Sequence, residues 1–182
     1  IGSLFLLFPL AAGLAHPEPA AITGGMLQVA SHATAKAAMF MAAGLVYAAL
    51  GHDRVADLGG VARALPMTVT AFTLAGIALI GLPPAGGFVA KWLLLSAALS
   101  TAQWWWAVVL VGGGLLTACY VFGVLGRALA TVDPPPPRGT VTRGREAVVL
   151  GLAIVATVLG FAAFAPVDLV QVGRPPVAGV PR

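Results

Sequence analysis

The sequence predicts an all-α membrane protein of about five transmembrane helices, one of them discontinuous. Three observations lead there. Only 9% of the 182 residues are charged, 10 Lys+Arg against 6 Asp+Glu, while 59% are apolar. The apolar residues fall into long runs. The gaps between those runs hold the glycines, prolines and arginines that end helices and face water. An ordinary soluble domain carries about 25% charged residues, and a surface needs about that much to stay dispersed in water. The mean hydropathy of +0.97 agrees. This composition excludes a soluble globular enzyme, a disordered tail and a nucleic-acid-binding domain. The net charge of +4 does not reverse that, because the ten cations are spread along the chain and form no basic stripe. The single cysteine, Cys119, excludes an internal disulfide and a cysteine metal cluster. Set in an apolar run, it reads as a small buried packing residue.

The first apolar block, residues 1–15, lacks a basic flank and a cleavage site. It reads as the end of a helix in a chain that begins inside a longer protein. The second, residues 20–50, is long enough to cross about 30 Å of hydrocarbon, which needs about 20 residues. The third, 67–101, is too long for one straight crossing, since 35 residues of helix run about 50 Å. Its centre is GLPPAGG, with Gly81, Pro83, Pro84, Gly86 and Gly87. The two prolines remove backbone donors and clash with the preceding turn, so the helix breaks there. In lipid, a break is tolerated only where protein or a water-filled cavity satisfies the freed backbone groups. The fourth block, 104–131, opens on Trp104-Trp105-Trp106, an interfacial signature. The fifth, 146–165, fits one crossing. Together residues 1–166 form a helical membrane domain, and 167–182 a loosely ordered tail.

The arginines indicate that the third block crosses and does not re-enter. A crossing puts Arg54, Arg63, Arg127, Arg138, Arg143 and Arg145 on one side and Arg174 and Arg182 on the other. A hairpin would split them evenly. The positive-inside rule then places loops 51–66 and 132–145 in the cytoplasm.

Two lysines, Lys36 and Lys91, lie inside apolar blocks, and they are the only lysines in the chain. Arginine keeps its proton, whereas a lysine in a low-dielectric site releases it more readily. Lys36 lies near the middle of its block, too deep for its stem to reach a headgroup. Gln28, His32 and Lys36 share an i, i+4, i+8 stripe on one helix face, and Ser31 and Thr34 add polarity nearby. Lys91 follows the break by four residues, where freed carbonyls and water could solvate its ammonium. The six carboxylates, Glu18, Asp53, Asp57, Asp133, Glu146 and Asp168, all fall at block edges or in loops. None is expected to be buried, so the lysines find no midplane carboxylate here. His16 and His52 read as interfacial. No phosphate-binding loop, dinucleotide fingerprint, metal-ligand spacing or hydrolytic triad is present in the sequence.

Three segments, in order, carry a resemblance: HATAKAAMFMAAG (32–44), DLGGVARALPMT (57–68) and GLPPAGGFVAKWLLL (81–95). They resemble the antiporter-like subunits of respiratory complex I, of Mrp-type cation/proton antiporters and of membrane-bound hydrogenases. The resemblance implies the C-terminal part of a fourteen-helix fold with two inverted five-helix repeats, each holding one broken helix. It implies that Lys36 is the central-axis lysine that follows a histidine, Lys91 the lysine of the second broken helix, and His32 the histidine between helices in that relay. Gln28 stands where some members have a second histidine. Some members have Glu at the Lys91 position. The compact ending looks more like the Mrp D-type or related subunits than the complex I subunit with a long lateral helix. The implied function is proton translocation within a multi-subunit complex of the cell inner membrane, along a midplane Lys/His/water path. Other membrane subunits, the lipid bilayer and transported protons are the implied partners, with Na+ as the alternative cation. No cofactor, redox centre, metal or nucleic acid is expected. The rival readings are a structural scaffold subunit without its own ion path, and a stand-alone cation/proton antiporter.

Overall fold

A computed structural model describes residues 2–12, 19–132 and 139–161. The expectations for His16, Glu18, Asp133, Arg138, Asp168, the end of the fifth block and the tail with Arg174 and Arg182 lie outside the described residues. Within them, regular structure is entirely helical. A short 3-10 turn, Gly2–Leu4, precedes α1 (Leu7–Ala12) and α2 (Pro19–Leu50). After a 3-10 turn at Val55–Asp57 come α3 (Val61–Ala64), α4 (Pro66–Ile80), α5 (Gly86–Ser100), α6 (Trp104–Ala128) and α7 (Arg143–Val158).

Helix α2 is the mast of the structure. Its interior is rich in alanine, the strongest helix former, and its one proline sits at the first helical position, where a missing N–H costs nothing. At 1.5 Å per residue, its 32 residues run about 48 Å. Small residues let neighbours close onto it. A Cβ at Gly24 would come within 2.8 Å of Leu93 Cβ, and one at Gly25 within 2.6 Å of Leu7 Cδ1. The two halves of the third block lie end to end against α2 and run opposite to it. Thr68 and Val69 share a cavity wall with Ala42 and Val46. Gly87 sits beside Ser31, and Ala90 and Leu93 beside Gly24.

The chain leaves helix after Ile80 and resumes it at Gly86. Gly81 takes φ of +84°, a left-handed conformation available to glycine at little cost. Its N–H and that of Leu82 both donate to Ile77 O, at 3.0 and 3.1 Å, closing the end of α4. Gly87 then lies directly against the carbonyl oxygen of Ala78, so the start of α5 abuts the end of α4.

Helix α6 returns parallel to α2, from Gln103, whose Nε2 donates to Pro9 O at 3.5 Å, to Val132 beside Gly59. Helix α7 packs on α4 and α2. Gly139 N–H donates to Ala49 O at 3.2 Å, so the loops after α2 and after α6 meet at one end of the bundle. Exposed Arg54, Arg63, Arg127, Arg143 and Arg145 all belong to that end.

The core is built from small residues: Ala35, Ala38, Ala42, Ala71, Ala75, Ala78, Ala153 and Ala156 are all buried. Such interfaces let helix backbones approach closely, as helices in lipid do. Large apolar side chains point outward instead; Phe40 is 70% exposed and Leu116 75%. Two helices, Ala20–Leu50 and Trp104–Ala128, are long and apolar enough to cross a membrane, and α4 and α5 are shorter apolar helices.

Two expectations need correction. Cys119 is exposed, not buried. The inward side of α6 is formed by Leu110, Val121, Leu125 and Ala128, and Cys119 falls off that stripe. Glu146 is buried, with 5% of its surface exposed. Its position at a block edge hid its role. Leu65, at the cap position of α4, offers no side-chain acceptor. Glu146 Oε2 in the first turn of α7 supplies one, accepting from Thr68 N–H at 3.1 Å and Thr68 Oγ1 at 2.9 Å. A carboxylate at a helix N-terminus also meets the positive end of the helix dipole.

Glu146→Ala should therefore lower the thermal stability of the detergent-solubilised protein by about 2–3 kcal/mol, since hydrogen bonds to a charged group are lost and a donor is orphaned. Glu146→Gln, which keeps an acceptor, should cost clearly less; equal losses would count against the cap. The glycines give a second test in the same melt. Gly87→Ala forces a Cβ onto the Ala78 carbonyl, a backbone atom, and should destabilise by about 1–3 kcal/mol. Gly44→Ala meets nothing within 4 Å and should be neutral or stabilising.

Candidate functional site

The polar stripe of α2 faces the break between α4 and α5. Gln28 is buried, and His32 and Lys36 are half-buried. The buried Nε2 of His32 has no hydrogen-bond partner among the described residues. Lys36 Nζ stands 5.4 Å from the centroid of the Phe40 ring, within cation–π range. Thr34 contributes little, because its hydroxyl donates to Ala30 O of its own helix at 2.7 Å. Ser31 is buried against Gly86 and Gly87.

Lys91 sits one turn into α5, and its side chain reaches back across the break. Its ammonium donates to Ile80 O at 2.7 Å and to Leu79 O at 3.0 Å. The last carbonyls of any helix lack intrahelical partners and carry the negative end of its dipole. Breaking the helix at Ile80 thus creates two acceptors, and Lys91 takes both. Gly81 is needed here for space as well as conformation, since a Cβ would fall 2.7 Å from Lys91 Cδ. Pro83 and Pro84 are exposed in the turn.

A cavity of about 320 Å³ joins these groups. Gln28, His32, Lys36 and Lys91 line it together, with Gly113, Gly114, Thr117 and Tyr120 of α6 on the opposite wall. At about 30 Å³ per water, it has room for about ten. A second cavity, about 330 Å³ and walled by Trp92, Leu95, Leu115 and Phe122, lies on the other flank of Lys91. The four candidate residues, spread over 64 positions of sequence, therefore share one space. Gly86 and Gly87 serve the packing of the break.

Tyr120 is the wall residue that sequence reasoning missed. Its hydroxyl lies 3.3 Å from Met39 Sδ, a weak acceptor. A tyrosine inside an apolar run gives no signal of its own; only the packing of α6 against α4 and α5 brings its hydroxyl to Met39 of α2. Among the described residues, no group of three or more His, Cys, Asp and Glu could hold a metal ion.

Comparison with known proteins places this geometry in a family. A model of the NADH:quinone oxidoreductase/Mrp antiporter transmembrane family matches residues 10–117. NADH-quinone oxidoreductase subunit N of Desulforudis audaxviator (strain MP104C) is 40% identical over 124 residues, covering 68% of this chain and 25% of that protein. F(420)H(2) dehydrogenase subunit M of Methanosarcina mazei is 37% identical over 75 residues, covering 41% of this chain and 15% of that one. A chain of the Mrp complex from Dietzia sp. DQ12-45-1b superposes with a TM-score of 0.74 at 23% identity, over 84% of this chain and 37% of that chain, and shows a shared fold. The chain spans about a quarter of the length of its subunit N relative. The polar cavity beside a broken helix thus belongs to an integral membrane protein, and the chain is a member of the NADH:quinone oxidoreductase/Mrp antiporter transmembrane family.

Proposed function

We propose that the chain carries one segment of a proton path in a multi-subunit membrane complex, with Lys91 and Lys36 as its protonatable stations. One observation carries the reading: a single cavity of about 320 Å³ contains both lysines, His32 and Gln28, beside a helix break that solvates Lys91. An ammonium in an apolar bundle is costly unless solvated or paired. A site with carbonyls on one side and water on the other holds the charged form, yet leaves the proton a way out. His32 and Gln28 stand along the same wall, positioned to bridge the two lysines through water. Protons move along such a row as neighbouring charges change. In this reading α4 and α5 make one crossing together. The described helices then correspond to the five crossings at the C-terminal end of a fourteen-helix fold, with protons, or Na+ as the alternative, as cargo. Other membrane subunits cover the outward-facing apolar surfaces that lipid does not.

Proton pumping by the assembled complex in sealed vesicles tests the path. Lys91→Met should lower pumping at least about tenfold with assembly retained, the scale expected when one proton-transfer group is lost. Lys91→Arg should not restore it, because arginine holds its proton. Lys36→Ala should be comparably damaging, and His32→Ala milder if water replaces the imidazole. A purely structural lysine predicts the reverse: apolar replacement of a buried charge is often neutral or stabilising. Wild-type pumping by Lys91→Met would end the reading.

The arginine-bearing end is proposed to face the cytoplasm. In a Cys119→Ser background, Thr140→Cys should react with a membrane-impermeant maleimide only in inside-out vesicles of the cell membrane. Labelling of intact cells would reverse the orientation.

A further inference from the structure

Between the arginine-bearing end of the bundle and the lysine cavity lies a smaller cavity of about 170 Å³. Its polar lining comes from Asp53, exposed in the loop after α2, and Thr68 at the start of α4; Val46, Val69 and Phe72 are among its apolar walls. Thr68 is held there by the buried Glu146, which accepts from both its N–H and its hydroxyl. Among the described residues, Tyr120 alone lines both this cavity and the one containing Gln28, His32, Lys36 and Lys91. Its hydroxyl rests on Met39 Sδ at 3.3 Å, a partner weak enough to be exchanged for water.

We infer that the smaller cavity is an access branch that admits protons from the arginine-bearing end to the Lys36 side of the path, and that the Tyr120 hydroxyl is its gate. This rests on the proton-path reading above. The space holds about five waters, but apolar walls keep such a cavity dry except where polar groups anchor water. Asp53 and Thr68 anchor it at one end and Tyr120 at the other, so the column between them fills and empties. Hydrophobic constrictions gate by this dewetting. When the column is filled, the phenol passes its proton to water on the lysine side and takes one from the outer column, and is neutral before and after. Lys36 receives the proton as its free amine and becomes the ammonium. When the column is empty, the hydroxyl returns to Met39 and the branch is closed. Glu146 is a positioning residue here, fixing the N-terminus of α4 and with it the Thr68 hydroxyl.

The test uses the assembled complex in sealed vesicles, with two independent readouts. Tyr120→Phe removes only the hydroxyl and should lower proton pumping at least about tenfold, with assembly unchanged. In a Cys119→Ser background, Val46→Cys should be modified by a small, charged methanethiosulfonate added on the arginine-bearing side, and adding it on the opposite side should not label it. Lys91→Met is run in parallel. If Lys91→Met abolishes pumping while Tyr120→Phe pumps at the wild-type rate, the access branch is wrong and the lysine path stands. If both pump at the wild-type rate, the lysine path itself fails and the branch falls with it. If Tyr120→Phe does not assemble, the thiol decides: an unreactive Val46→Cys overturns the branch.

Discussion

The seating of the Lys91 ammonium on the carbonyls of Leu79 and Ile80 is the contact on which the rest depends. Each partner would be costly alone. A helix ended in an apolar bundle leaves carbonyls without donors, at several kcal/mol per group in hydrocarbon. A lysine in the same surroundings leaves an ammonium without acceptors. Together each satisfies the other: the break exposes the acceptors, and the ammonium occupies them. That is why Gly81, which both ends α4 in a left-handed turn and leaves room for the lysine stem, cannot be treated as a generic turn residue.

The packing around this contact follows from it. For Lys91 to reach across the break, α5 must start hard against the end of α4, and Gly87 against Ala78 O provides that closeness. For the ammonium also to face a cavity, the helix opposite must lack bulk, and α6 presents Gly113 and Gly114 there. The alanine-lined core along α2, α4 and α7 holds the remaining helices at short distance without large interlocking side chains. At the far end of α4, Glu146 closes the other terminus, so both ends of this short helix are satisfied by side chains from other helices.

The two carboxylate and lysine contacts differ in what they ask of the protein. Glu146 accepts from one residue in a closed, buried arrangement, which suits a fixed brace. Lys91 has backbone acceptors on one side and an open cavity on the other, which leaves its environment free to change. Lys36, with the Phe40 ring beside it, likewise borders the cavity. A brace and a carrier can thus be told apart by how completely their surroundings are filled.

Much of this was legible in the residues themselves. Helical class follows from composition and run length, because lipid leaves few ways to satisfy a backbone. Pro83-Pro84 marks where helical bonding cannot continue, and regular helix does stop at Ile80 and resume at Gly86. The Gln28, His32, Lys36 stripe follows from helical periodicity alone, and two lysines among apolar residues mark themselves. What the tertiary structure decided were the contacts between segments distant in sequence. Glu146 sits at a block edge, indistinguishable in sequence from an exposed loop carboxylate; only the docking of α7 on α4 buries it. Tyr120 and Cys119 are exposed neighbours in the same apolar run, and only the rotation of α6 lets one of them border the polar cavity and leaves the other off it. Periodicity reports which residues share a helix face. It carries no information about which way that face turns, because in lipid the hydrophobic pattern no longer separates inside from outside.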